Sequence, residues 1–346
     1  MNQISIGWDI GGAHVKVAVV ENQQILAVYQ EPCPLWQGLD KLRIVVTKLL
    51  KKLPSNAKHA ITMTGELVDL FANRDDGVQK IIKTMSKLLR RSEIKIFCSE
   101  CGLLPLSEID EDHFNSIASA NWMASASFAA TQLRSCLFVD IGSTTTDILL
   151  CEGGEVFEES LTDYERLISQ ELVYTGIVRT PVMAVVQAVM DENGHFVPIV
   201  AEHFATMADV YRLTGELSEK HDQSPTADGK EKTIEASARR LARMFGTDFY
   251  EGEIFCWKCI ANRIRKQQIK KIQNACQLQL SRFQHEPRQG EKRCLVGAGI
   301  GRFLIQEIAE NLNCDYVDFS TLFLTNQTLI FEPADCAPAV AVALQL

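Results

Sequence analysis

Residues 4–20 read ISIGWDIGGAHVKVAVV, and residues 136–151 read CLFVDIGSTTTDILLC. Each is an apolar strand that runs into Asp-Ile-Gly, turns and continues as a second strand. In the first copy the turn is Asp9-Ile10-Gly11-Gly12, and residues 15–20 alternate with the period of two that marks a β-strand. In the second the turn is Asp140-Ile141-Gly142-Ser143, and residues 145–151 form the returning strand. Asp9 falls on Asp140, Gly11 on Gly142 and Lys16 on Asp147. A repeat at a constant offset constrains architecture more than any single element does. It predicts two similar α/β halves, each opening with a β-meander.

Outward from the first copy, Asn22-Gln23-Gln24 is a short turn before a third strand at 25–29. Leu39, Leu42, Val45, Val46 and Leu49 share one side of a helix over 37–52. A strand at 59–64, a helix at 77–91, a strand at 94–98 and one long small-residue helix at 113–131 follow. Beyond the second copy, Gly153-Gly154 turns into a short run at 155–158. Residues 216–232 are polar, contain Pro and Gly, and read as an exposed loop. Helices are expected over 233–246 and 253–284, with Arg263 to Lys271 as a solvated basic face. Arg239, Arg240 and Arg243 partly share a helix face and read as solvated charge. A strand at 293–297 leads through Gly297-Ala298-Gly299-Ile300-Gly301 into a helix. The closing APAVAVALQL (337–346) predicts a helix packed back on the first half. The expected domains are 1–132 plus 333–346, and 133–332 with an inserted helical segment over 200–290.

The 346 residues suit roughly two domains. Hydrophobic residues at 46% and charged residues at 23% exclude disorder as the main state. The net charge of −9 argues against nucleic acid or an anionic membrane surface as partner. No apolar run approaches the roughly 18 residues of a membrane span. The N-terminus lacks a basic region and Asp9 interrupts its apolar stretch, so a signal peptide is not expected and the cytoplasm is. The 11 cysteines include Cys98/Cys101 and Cys256/Cys259 at C-x-x-C spacing, each half of a four-thiolate zinc site. Their wide separation and apolar or helix-forming flanks favour free thiols.

An Asp-x-Gly turn at the end of a strand has a specific chemistry. Glycine lets a ligand approach the backbone, and successive amides make a nest for phosphate. The Asp sits where it can hold Mg²⁺, partly through water, beside those phosphate oxygens. Gly11, Gly12, Ala13 and His14 form one such nest, and Gly142, Ser143, Thr144 and Thr145 the other. Ser143, Thr144 and Thr145 add hydroxyls, and Lys16 adds a point charge. One hairpin alone reads as a tight turn; two suit the opposite sides of one polyphosphate. The Gly297, Gly299 and Gly301 turn, between strand and helix, suits an anion or an adenine ring.

These three segments resemble the two phosphate motifs and the adenosine motif of the acetate/sugar kinase–Hsp70–actin superfamily. The resemblance implies an α/β fold of two ribonuclease-H-like domains around a central cleft. Asn121-Trp122, the stretch Tyr174 to Pro181, Ala205 to Arg212, Thr226 to Gly229 and Arg239 to Arg243 are similar to the hydantoinase/oxoprolinase-related branch. Within it the chain resembles a short group linked to tetrahydromethanopterin-dependent one-carbon metabolism, whose archaeal members are methanofuran-biosynthesis synthases. The resemblance implies an Mg-dependent transferase. Its substrates would be a furan diphosphate and a phenolic acceptor, either tyrosine or a tyramine derivative, glutamylated or not. Asp9 and Asp140 would position Mg²⁺, Lys16 and the two nests would take the diphosphate, and Asp147 or His14 would act as base. Asn121 and Arg179 are the polar groups expected in the substrate pocket. The competing expectations are an ATP-dependent small-molecule kinase or oxoprolinase-like ATP hydrolase, with ATP in all three glycine motifs, and a nucleotide-sensing regulator. A homodimer is compatible with each.

Overall fold

The structure, a computed structural model, describes residues 3–159, 161–285, 287, 290–325 and 329–346. The opening meander is β1 (Ile4–Ile10), β2 (His14–Glu21) and β3 (Gln24–Pro32). Asn22 and Gln23 join β2 to β3 with φ of 49° and 65°. Two successive left-handed residues match the right-handed twist of a hairpin. After α1 (Leu39–Leu50), β4 (Lys58–Met63) lies parallel to β1. Then α2 (Arg74–Leu88) leads to β5 (Ile94–Cys98), parallel to β4, and the antiparallel edge β6 (Gly102–Pro105). The first sheet therefore runs β3-β2-β1-β4-β5-β6. Trp8, Ile10, Val15, Val17, Ile61 and Met63 share one buried cluster with Leu42, Val46 and Leu49 of α1 and with Val78 and Ile81 of α2.

Next come α3 (Phe114–Ile117) and α4 (Asn121–Gln132), where the sequence pattern predicts one helix over 113–131. The break is at 118–120, and Ser119 is left-handed with φ 53°. Small apolar residues carry no signal for a break of this kind.

The second hairpin is β7 (Ser135–Ile141) and β8 (Thr146–Glu152). Gly153 and Gly154, with φ of 69° and 96°, turn it into β9 (Glu155–Phe157), where the first copy uses Asn22 and Gln23. Then follow α5 (Asp163–Ser169), β10 (Leu172–Val173), α6 (Val182–Val185) and the ribbon β11 (Ala188–Met190) with β12 (Phe196–Pro198). Helices α7 (Met207–Thr214), α8 (Ile234–Met244) and α9 (Ile254–Leu280) precede β13 (Cys294–Ala298), α10 (Phe303–Asn311) and β14 (Asp315–Asp318). The second sheet runs β10-β8-β7-β13-β14, with β9 also on β8. β7, β8 and β13 thus hold the places of β1, β2 and β4, so the doubled hairpin is a doubled sheet. Helix α11 (Ala337–Leu344) packs its Ala339, Val340 and Ala343 on Ala18, Val20 and Val28 of the first meander.

By internal contacts the chain divides into two compact units. One comprises Met1–Phe138, Leu149–Ile168 and Val317–Leu346; the other comprises Val139–Ile148 and Ser169–Tyr316.

Two polar segments differ from their sequence reading. The 216–232 stretch is tied down: Arg212 binds Asp222, and His221 is buried. Arg240 is not solvated but 1% exposed, donating to Asp209 Oδ1 at 2.8 Å, Asp228 Oδ1 at 3.1 Å and the Glu231 carbonyl at 3.2 Å. Asp209 of α7 and Asp228 of the loop offset the desolvation of this guanidinium, and the periodicity of its own helix cannot see them. Cys98 is buried on β5 and Cys101 exposed, while Cys256 and Cys259 lie one turn apart on α9. None of the eleven cysteines, all among the described residues, is in a disulfide. Among the described residues no three His, Cys, Asp or Glu side chains gather as metal ligands, and no helix is long and apolar enough to cross a membrane.

Candidate functional site

The two hairpin loops close in the same way. Gly11 N–H donates to the His14 carbonyl at 3.0 Å, and Gly142 N–H to the Thr145 carbonyl at 2.9 Å. These two glycine amides are therefore spent inside their turns and are not part of a phosphate cradle. The cradle is left to the amides that follow, and their direction can be derived. In the first loop the Gly12 carbonyl accepts from Leu35 N–H (3.1 Å) and the Ala13 carbonyl from Cys33 N–H (2.8 Å). No peptide among the described residues is cis, so each N–H here points opposite the carbonyl of its own peptide unit. The amides of Ala13 and His14 thus turn away from the 33–35 segment.

Asp9 is the centre of the first half. Lys16 lies directly across the ladder on β2 and Thr62 directly across on β4. Opposed residues share a sheet face, so Lys16, Asp9 and Thr62 form one row. Lys16 Nζ is 3.5 Å from Asp9 Oδ2, and Asn121, the first residue of α4, places Nδ2 3.4 Å from Oδ1. Thr62 Oγ1 is buried and makes no hydrogen bond. Asp9 is 2% exposed. Burial pushes its carboxyl above the usual range, and Lys16 and Asn121 oppose that push without cancelling it. A buried acid whose desolvation Lys16 offsets only in part fits a cation.

The second half is built on main chain. The Gly142 carbonyl accepts from Ile177 N–H (3.1 Å), the Ser143 carbonyl from Val178 and Arg179 N–H (3.1 and 2.8 Å), and the Thr144 carbonyl from Thr180 Oγ1 (3.3 Å). By the same peptide geometry the amides of Ser143, Thr144 and Thr145 face away from the 177–180 segment. Ser143 Oγ is buried without a partner, an orphan that a phosphate oxygen would satisfy. A Cβ on Gly176 would sit 2.4 Å from Thr144 N, so only glycine lets this support come so close. Gln268 of α9, fully buried, holds the support in turn. Its Nε2 donates to Thr175 Oγ1 (2.7 Å) and to the Gly176 carbonyl (2.9 Å), while its Oε1 accepts from Tyr211.

The glycine-rich turn after β13 belongs to this half. Gly299 has φ 78°, and a Cβ there would lie 2.2 Å from Asp140 Oδ1 and 2.3 Å from the Ile141 carbonyl. Gly301 donates its N–H to that carbonyl at 2.8 Å, and Gly297 lies against the Tyr316 ring. Packing alone demands glycine at each position, and none needs an adenine ring to explain it. Asp140 is half-buried, and Asp147 lies across from Leu172 on β10. Arg179 contributes its backbone to the loop and is exposed as a whole.

The structure thus joins Asp9, Lys16 and Asn121 with the Gly11–His14 loop, and Asp140, Gly299 and Gly301 with the Gly142–Thr145 loop. Thr62, Gly176, Thr180 and Gln268 are additions that the sequence reading did not single out individually. Gly176 and Thr180 lay within a motif stretch; Gln268 had no signal, being one of several glutamines on a long helix.

A hydantoinase/oxoprolinase family model matches residues 58–323. Over 252 residues the chain is 32% identical to a protein of Methanocaldococcus jannaschii, covering 72% of this chain and 73% of that protein. That protein is named (4-{4-[2-(gamma-L-glutamylamino)ethyl]phenoxymethyl}furan-2-yl)methanamine synthase. A protein of the same name from Methanococcus vannielii is 31% identical over 115 residues, which is 33% of this chain and 51% of that one. Among solved structures, nucleotide-free acetone carboxylase superposes with a TM-score of 0.55 at 9% identity, over 99% of this chain and 70% of that one. The fold is that of the actin, Hsp70 and sugar-kinase type, with two ribonuclease-H-like domains. The family model spans most of the sequence and the curated relative exceeds 30% identity over most of both chains, so this protein belongs to the hydantoinase/oxoprolinase family.

Proposed function

We propose that the protein is a synthase of methanofuran-type cofactor biosynthesis. It transfers an aminomethylfuranyl-methyl group from its diphosphate ester to the phenol oxygen of a tyrosine or tyramine derivative. The observation that carries this reading is the pair of loops with matching closure and amides turned from their supporting segments, in a chain 32% identical to a synthase whose named product is a phenoxymethylfuran. A new bond forms between the furan methylene carbon and the phenol oxygen, the carbon–oxygen bond to diphosphate breaks, and pyrophosphate leaves. The phenol proton passes to a base. The furan ring oxygen stabilises positive charge at the reacting carbon, so catalysis consists mainly of drawing negative charge onto the leaving group.

The residues suit that task. In one unit Lys16 and the amides of Ala13 and His14 suit phosphate oxygens; in the other the amides of Ser143, Thr144 and Thr145 and the orphaned Ser143 hydroxyl do. Asp9 in one unit and Asp140 in the other are the candidate groups for Mg²⁺, partly through water, and the ion when bound supplies positive charge at the leaving group. The acceptor phenol, with a pKa of about 10, needs help to lose its proton. Asp147 and His14 are the groups assigned to take it. Asn121 orients the Asp9 carboxylate.

A thermal-shift comparison tests the reading. Mg·pyrophosphate is expected to raise the melting temperature, with no comparable rise from Mg·ATP or Mg·ADP. Stabilisation by nucleotide alone would replace the transferase with an ATP-dependent kinase or hydrolase. Mass spectrometry of a mixture of protein, Mg²⁺, furan diphosphate and candidate phenols then identifies the acceptor by the ether it forms.

A further inference from the structure

Glu66 follows β4 directly and is 1% exposed. Its Oε1 accepts a hydrogen bond from Ser119 Oγ at 2.8 Å, and its Oε2 is buried with no partner. An ionised carboxylate is strongly disfavoured with one oxygen bare in the interior, whereas a protonated one is tolerated. Burial pushes this carboxyl upward, and of its charged neighbours Arg74 opposes and Asp163 reinforces that push. Arg74 and Asp163 also bind each other at 3.0 Å. Ser119 is the residue that breaks the helix expected over 113–131. Its φ of 53° is unfavourable for a residue with a Cβ and persists only where surroundings enforce it. Two residues later, Asn121 begins α4 and reaches Asp9. Glu66 therefore bonds Ser119, and Asn121, two residues along the chain, bonds Asp9, all within one compact unit.

We propose that Glu66 is a positioning residue for the first loop: its bond to Ser119 holds the left-handed kink that presents Asn121 to the Asp9 carboxylate. The proposal gives a task to a buried acid that the reaction itself does not use. It rests on the functional reading above only in so far as turnover is the readout; the kink is a property of the ligand-free chain.

The test uses the full-length protein and two readouts, hydrogen exchange over residues 114–126 without ligand and turnover with the furan diphosphate. Glu66→Leu is expected to speed exchange there about tenfold and to lower turnover about 10- to 100-fold through misplacement of Asn121. Glu66→Gln, whose amide oxygen still accepts from Ser119, is expected to match the native protein in both. Adding Ser119→Gly to Glu66→Leu is expected to restore turnover to within about threefold, because glycine adopts the kink unaided. The proposal is overturned if Glu66→Leu leaves exchange unchanged, if Glu66→Gln behaves like Glu66→Leu, or if the double variant recovers nothing. Should Glu66→Leu fail to fold by circular dichroism, Ser119→Ala reads the same bond from its other end, and native exchange in that variant overturns the proposal. If exchange responds as expected while Mg·pyrophosphate leaves the native protein's melting temperature unmoved, the functional reading falls and the kink assignment stands.

Discussion

The two loops are copies in sequence and in closure, and backbone N–H groups take carbonyls of both, yet their surroundings differ. The Gly11–His14 loop carries its chemistry on side chains. Lys16 and Asn121 converge on a buried Asp9, and the helix start that supplies Asn121 is fixed by another side chain. The Gly142–Thr145 loop is held by backbone and by missing side chains. Its carbonyls are taken by residues 177–180, and Gly176, Gly299 and Gly301 bring neighbouring chain against it. One copy is therefore sensitive to charge and the other to volume. A duplicated hairpin can diverge this way because in both copies a neighbouring segment takes the loop carbonyls and so turns the amides, whatever the side chains around them.

Replacing the two aspartates gives the largest expected effect. Asp9→Asn and Asp140→Asn should each lower turnover about 10³-fold, with circular dichroism unchanged. The comparison sharpens in the melting temperature. The Asp9 carboxyl is raised by burial, so above its unfolded pKa the ionised form disfavours folding. Asp9→Asn removes that charge and should raise the melting temperature at pH 7 while turnover collapses. Near-native turnover in either variant would remove that loop from the reaction. A lowered melting temperature in Asp9→Asn would mean that its ion pair with Lys16 outweighs its desolvation.

Gly299→Ala comes next and addresses volume. The new methyl would meet Asp140 Oδ1 at 2.2 Å from a backbone already at φ 78°. A cost of about 3 kcal/mol is expected in denaturant unfolding, together with weaker Mg·pyrophosphate binding. Native stability would show that the approach of this turn to Asp140 is looser than described. Gln268→Met follows, at about 1–3 kcal/mol, because it leaves Thr175 Oγ1, the Gly176 carbonyl and the Tyr211 hydroxyl without their partner. Its specific mark is a raised KM for the diphosphate with kcat nearly kept, since the strut supports the binding loop and touches no reacting atom. An unchanged KM would reduce Gln268 to general packing.

What the sequence reveals divides along the same line. The hairpins were legible because strands have a period of two and because Asp-Ile-Gly recurs with its flanks. The Gly153-Gly154 turn and the small-residue face of α11 were legible for similar local reasons. Supports that arrive from far along the chain were not. Residues 177–180, Gln268, and the acids that surround Arg240 act through contacts that no window of sequence contains. The kink at Ser119 was invisible because its cause, Glu66, lies in another segment, while the run around it, rich in Ala and Ser, satisfies helix periodicity. Gly297, Gly299 and Gly301 were conspicuous but ambiguous. A glycine needed for close packing and a glycine needed for a ligand look alike until the neighbours are known.

That ambiguity is resolvable at Gly142. Its φ is not left-handed, and a Cβ there would make only an ordinary contact, 3.5 Å from the Thr145 carbonyl. Gly11, its counterpart, would place a Cβ 3.0 Å from the His14 carbonyl, so packing already favours glycine in the first loop. No close contact in the protein demands glycine at 142, and a ligand is the reason we propose for the missing side chain. Gly142→Ala should therefore keep its unfolding free energy within about 0.5 kcal/mol. It should weaken Mg·pyrophosphate binding about tenfold, equivalent to about 1.4 kcal/mol. Gly11→Ala should lose stability and affinity together. If titration calorimetry finds Gly142→Ala binding like the native protein, the space above that loop is not where the diphosphate lies, and the second copy supports the fold without serving the reaction.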